Sequence, residues 1–233
     1  MCFHYALSAE SLENKSLLTE YSLEGLSPES LSLGDFNAFT FPLAPVIADS
    51  FPDRVSLFRW GLVPAWADTE KKAKELRAKT LNARSESIKQ KPSFRESADR
   101  RCLILADSFY EWQETAPQKL LKYRIRLEGG GFFAFAGIYS EAAPSAPCRE
   151  EATFSLLTTK ANAMMERIHN RPSYQGDLRM PVLLRFSEFT RWLRNDPAED
   201  AALFDRGDVE LVAEPCPSKA AGNEAGGTQL SLI

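Results

Sequence analysis

The chain has 233 residues, 44% of them hydrophobic and 26% charged, with a formal charge of −4. That is enough apolar material for one sizeable core, in the proportions of a soluble globular protein. No basic segment followed by an apolar run opens the chain, and no stretch approaches the ~20 apolar residues of a membrane span, so neither leader nor anchor is expected and the chain reads as cytoplasmic.

In chain order, MCFHYALSAE places a cysteine directly after the initiator methionine. With Met1 removed, Cys2 would carry an α-amine and a thiol on adjacent carbons. Their ordinary pKa values, ~7.7–8.0 and ~8.5, leave both nucleophilic forms populated near neutrality. An amine condenses with an aldehyde to a Schiff base, and an adjacent thiol can close on it to a five-membered thiazolidine. The same residue also fits as a small, inert hydrophobe.

Residues 8–21 read as a capped amphipathic helix, with Ser8 or Ser11 as N-cap and Leu12, Leu17 and Leu18 inward. A turn-rich stretch then leads into a strand at PVIA, and VSLFRWGLVP reads as a strand that stops at Pro64. ADTEKKAKELRAKT begins a helix capped by Asp68 and becomes irregular around Leu81–Ser87. RRCLILADSFYEWQE is one continuous buried strand. LKYRIRLEGGGFFAFAGIYSE is a hairpin turning at Gly129-Gly130-Gly131. ATFSLLTTKAN and RMPVLLRF read as strands, and NAMMERIHN as a short helix ending near His169. SEFTRWLRN and DAALFDRG are helical, and VELVAEPC is the last strand. Strands dominate without alternating regularly with helices. The pattern predicts an α+β fold, a single domain over residues 1–217 with a curved, largely antiparallel β core flanked by short helices, followed by a mobile Gly-rich tail at 218–233.

Cys2, Cys102, Cys148 and Cys216 show no C-x-x-C spacing, which argues against a disulfide frame and a zinc site. His4 and His169 are the only histidines, so a histidine-rich metal site is excluded, and no metal or cofactor is expected. Three further groups could do chemistry. Glu111 lies among Phe109, Tyr110 and Trp112, where desolvation would raise its pKa toward acid–base work; a solvated or salt-bridged strand-end carboxylate fits equally. Asn82, Arg84 and Glu86 alternate, so an extended backbone points them the same way. An amide beside a guanidinium suits an oxyanion or a phosphate, with an ordinary loop network as the alternative. His169 precedes a turn-rich stretch and suits either a structural or a proton-handling role. From Lys71 to Arg101, eleven Lys/Arg stand against four acids, a local +7 in an acidic chain. This is either a solvated helical surface or a strip facing phosphates.

Together these segments resemble the SRAP family of SOS response-associated peptidases, or abasic-site processing proteins. The matching pieces are M-C at the start, FNAF around Asn37, WGLVPAW at 60–66, LNAR-S-E at 81–86, RCLILADSFYEW at 101–112, SLLTTKAN at 155–162, and IHNR with RMPV between 168 and 182. The resemblance spans roughly residues 1–215. It implies a monomeric protein that binds single-stranded DNA at abasic sites and crosslinks to the open-chain sugar aldehyde as a thiazolidine. Cys2 is then the nucleophile, exposed by autocatalytic loss of Met1. Asn82 orients the sugar and Cys2, Glu111 shuttles protons, and His169 helps open the sugar ring. Arg84 would hold phosphate, Asn37 and Thr158 would shape the pocket, Trp66 would stack a base, and Lys71 and Lys72 would belong to the basic strip. No membrane partner is implied, and the expected place is the cytoplasm, at the nucleoid when DNA is damaged. Phe3 and His4 depart from the Gly-Arg usual in the family, and SYQGDL lengthens the segment between IHNR and RMPV. An N-terminal-nucleophile peptidase would share Cys2, Glu111 and Asn82 without needing the basic strip.

Overall fold

Long, apolar strands need partners along both edges, and five of them here close on one another. The computed structural model describes residues 2–12, 19–22, 33–142, 151–171, 176–195, 197–205 and 209–216. Strands β3 (Leu43–Ala48), β4 (Phe51–Trp60), β6 (Arg101–Ala106), β9 (Phe133–Ser140) and β10 (Thr153–Lys160) form a ring. It runs β4–β3–β6–β9–β10, and β10 pairs back in parallel onto β4. The closing contact is short, Thr153 on Arg59 and Phe154 on Trp60, and among the described residues the rest of that edge of β4 carries only a bridge between Ser22 and Arg54. Short strands extend the ring: β5 (Asn82–Arg84) and β11 (Arg179–Pro181) flank β10, and β12 (Leu183–Leu184) pairs β9.

A second, antiparallel sheet has the order β13-β8-β7-β1-β2. It comprises β1 (His4–Leu7), β2 (Gly34–Asn37), β7 (Ser108–Ala116), β8 (Lys119–Leu127) and β13 (Leu211–Pro215). The two sheets share a core through Tyr5, whose ring lies 4.7 Å from Phe36 in its own sheet and 5.2 Å and 5.5 Å from Trp60 and Phe135 of the ring. The helices are short: α1 (Ala9–Leu12), α2 (Glu70–Arg77), α3 (Ala163–Ile168), α4 (Phe189–Leu193) and α5 (Pro197–Phe204). The α+β architecture expected from the sequence is therefore the one found.

Several boundaries differ from expectation. The run 100–114 is two strands, because Asp107 interrupts it where the chain leaves the ring for the second sheet; its carboxylate accepts from the Ser8 backbone N–H at 2.7 Å and from Ser108 at 2.8 Å. The expected hairpin at Gly129–Gly131 is absent. β8 and β9 lie in different sheets, and three successive glycines with φ of +81°, +77° and +86° carry the chain between them. Gln118, at φ +64°, forms the tight turn of the actual hairpin, β7–β8. RMPVLLRF breaks at Val182, whose N–H donates to Leu157 of β10 while its carbonyl accepts from Ala136 of β9.

VSLFRWGLVP ends as a strand at Trp60 rather than Pro64, because Gly61 takes φ +103°. A Cβ on Gly61 would stand 2.8 Å from the Arg77 carbonyl, so the end of α2 rests directly on that glycine. Helix α2 is capped by Thr69, not Asp68: Thr69 Oγ1 accepts from Lys72 N at 3.4 Å, and Asp68 instead pairs with Lys72 Nζ at 2.9 Å. Of the expected 8–21 helix, residues 13–18 lie outside the described residues, as does the 218–233 tail. No helix among the described residues is long and apolar enough to cross a membrane.

Candidate active site around Cys2

Cys2 lies two residues before the start of β1 and is fully buried. Its carbonyl accepts from Asn82 Nδ2 at 3.0 Å, and its thiol points to the His4 carbonyl at 3.6 Å. Asn82 is set by its neighbours: β5 pairs in parallel with β10, placing Asn82 opposite Leu156. Trp60 Nε1 donates to the Leu81 carbonyl at 2.8 Å, and Thr80 Oγ1 to the Leu62 carbonyl at 2.7 Å, so both residues before Asn82 are fixed.

Glu111 arrives by strand alternation. β1 pairs β7 through Tyr5–Phe109, and two residues further along the same face is Glu111, with Tyr110 and Trp112 on the other. Its carboxylate is 3% exposed and lies 2.8 Å from His169 Nδ1. His169 ends α3, donating its N–H to the Met165 carbonyl at 2.7 Å; Asn162 caps the start of that helix by accepting from Met165 N at 2.9 Å. Buried Met165 and Ile168 seat the helix, which fixes the imidazole against the acid. An acid and an imidazole in contact can pass a proton either way.

Burial pushes the Cys2 thiol far up, and the nearby Glu111 carboxylate adds to the rise. The sulfur is thus a neutral thiol at neutral pH, not the partly ionised one that ordinary values suggest, and a base must take its proton for it to attack. Burial also lowers His4, with Lys122 acting in the same direction against Asp35, which lies 3.4 Å from the imidazole.

Two cavities flank this centre. The larger, about 640 Å³, is lined by Phe3, His4, Asn37, Phe39, Glu111, Trp112, Leu120, His169 and Arg171 and is mostly apolar. The smaller, about 290 Å³, is lined by Lys79, Asn82, Arg84, Ser87, Lys91, Phe94 and Thr158, among others. Sequence reasoning missed Phe39, Trp112 and Leu120 as lining residues. The signal for Trp112 was its place next to Glu111 on one strand.

The remaining candidates are dispersed. Asn37 lines the large cavity while its Oδ1 caps a short turn by accepting from Phe39 N at 3.1 Å. Thr158 is buried, bonding the Ala83 carbonyl and accepting from Arg179. Trp66 is 40% exposed, with its indole N–H on the Pro92 carbonyl. Arg84 makes a two-pronged pair with Asp177, both bonds at 2.8 Å. Lys71 is exposed on α2, whereas Lys72 is tied to Asp68. Arg101, at the end of the basic run, is structural: it is buried, pairs with Asp200 and lies over Trp192. Among the described residues no group of three potential ligands could hold a metal ion.

A family model described as SOS response associated peptidase (SRAP) matches residues 1–219. The chain is 34% identical over 200 residues to the abasic site processing protein YoqW of Bacillus subtilis, covering 83% of this chain and 80% of that protein. It is 28% identical over 165 residues to the abasic site processing protein HMCES of Xenopus tropicalis, covering 63% of this chain and 47% of the relative. A crystal structure of a protein from Bacteroides thetaiotaomicron shares 31% identity and a TM-score of 0.79, over 93% of this chain and 92% of that one. The chain belongs to the SRAP family.

Proposed function

We propose that this protein captures abasic sites in single-stranded DNA by forming a covalent link through Cys2 once Met1 has been hydrolysed away, shielding the lesion during the response to DNA damage. The freed α-amine adds to the open-chain sugar aldehyde and expels water, giving a Schiff base. The thiol then adds across the C=N bond, its proton passing to nitrogen, and closes a thiazolidine. His169 protonates the ring oxygen that must leave for the aldehyde to form. Glu111 takes and returns protons in peptide-bond hydrolysis and in the condensation. Asn82 holds the Cys2 carbonyl so that the amine and sulfur face the sugar. Lys71, Lys79 and Lys91 supply attraction for the backbone irrespective of sequence, and Trp66 offers a face for a base.

The observation that carries this reading is that the Asn82 hydrogen bond to Cys2 and the Glu111–His169 pair lie beside the same buried cysteine. An abasic sugar presents no base edge to read, so proton handling beside an amine and a thiol is the chemistry it requires. Mixing the protein with single-stranded DNA bearing one abasic site is expected to give a denaturant-resistant adduct, which Cys2→Ala abolishes and undamaged DNA does not form. Turnover of peptide substrates without any adduct would instead identify an N-terminal-nucleophile peptidase.

A further inference from the structure

We infer that Asp177 is a built-in competitor for DNA phosphate on Arg84, and that it sets how tightly the smaller cavity holds the strand. This rests on the reading of the site as a DNA-capture centre. Arg84 lines the cavity that begins at Asn82, the residue holding Cys2, and continues past Lys79 and Lys91. Both lysines are exposed and form no ion pair among the described residues. Arg84, by contrast, already has its planar donor edge filled by Asp177, with Nη1–Oδ2 and Nη2–Oδ1 both at 2.8 Å. A carboxylate fills the same fork that a phosphate would.

The pair is open to exchange. Arg84 is 26% exposed and Asp177 37%, so solvent and an incoming anion reach both. A displaced Asp177 is not stranded, because Arg179 Nη1 also lies 3.1 Å from it. Arg179 itself is 4% exposed and fully engaged with Glu86 and Thr158, which leaves Arg84 as the guanidinium that a phosphate can reach. Arg84 and Arg179 together face Glu86 and Asp177, two charges against two. Within the cavity the net attraction thus comes from the lysines until the strand replaces Asp177.

The test is Asp177→Asn, with Asp177→Ser as a second variant, each alone and combined with Arg84→Gln. Binding of a labelled, undamaged single strand is followed against salt, and adduct formation is assayed on an abasic strand. Removing a partly exposed competing charge should tighten binding about fivefold at low salt. With no acid left beside Arg84 to oppose the phosphate, the log–log salt slope should steepen by up to about 0.7. The improvement should vanish in the Arg84→Gln background. Unchanged or weaker binding in both Asp177 variants, or an improvement that survives Arg84→Gln, overturns the inference. If the wild-type adduct forms normally in that case, the capture reading stands without it. A wild-type protein that neither binds the single strand nor forms an adduct removes both.

Discussion

The two cavities beside Cys2 differ in kind. The larger is walled by Phe3, Phe39, Trp112 and Leu120 around buried Glu111 and its partner His169, whereas the smaller carries the exposed Lys79 and Lys91 beside the Arg84–Asp177 pair. Asn82 joins them, lining the smaller cavity while its amide reaches the Cys2 carbonyl. Apolar walls strengthen a proton transfer beside them and contribute little to long-range attraction. Exposed cations do the reverse, since water and salt screen them but they act at a distance. On the proposed function, reaction rate and strand affinity should therefore be separable, each belonging to one side of Asn82.

Glu111→Gln should divide the two most sharply, because it keeps the shape of the pair with His169 but removes the proton acceptor. Crosslinking should slow by about 100-fold or more, the usual scale of acid–base catalysis, while affinity for undamaged strand stays within twofold, ~0.4 kcal/mol. A comparable fall in affinity would mean that the two sides are one.

A smaller effect tests how dry the Cys2 side is. The unfolded chain releases its thiol proton above ~8.5, whereas buried Cys2 keeps it in the folded protein. The folded pKa is raised, so the Cys2 contribution to stability is complete below ~8.5 and is lost as pH rises from there toward the folded value. Each pH unit above ~8.5 should remove up to about 1.4 kcal/mol. Tyr5 and Cys102 are raised by burial as well, so the Cys2 share is the difference between wild type and Cys2→Ala in urea unfolding at pH 8 and pH 10. A difference that does not change between the two pH values would mean water reaches the sulfur.

The mildest change belongs to the charged side. Lys71→Gln with Lys74→Gln should flatten the log–log salt slope by about 0.7 for each phosphate left without its lysine, and the crosslinking rate at saturation should stay the same. Lys72→Gln should matter less, because Asp68 already holds its ammonium. An unchanged slope in the double variant would place α2 off the strand's path.

Much of the Cys2 side was legible beforehand. Glu111, Asn82 and His169 each stand out as polar groups at the ends of apolar elements, and β1, β5, β7 and α3 bring them together. The charged side was not, because its outcome depends on acids distant in sequence. Asp177 reaches Arg84 only because β5 and β11 both pair with β10, and Asp200 claims Arg101 from α5. The +7 run is therefore partly cancelled by residues outside it. The glycine run misled for a related reason: three flexible residues permit a hairpin, and only the competing partners of β8 and β9, in separate sheets, decide against one.

Gly61 ties both sides of the molecule to a single backbone position. The end of α2 sits on it, and its neighbour Trp60 grips the Leu81 carbonyl one residue before Asn82. A methyl group there would shove the lysine-bearing helix and the reactive centre's amide out of place at once. A random screen for defective capture should accordingly recover substitutions at this position alongside those at Cys2 and Glu111.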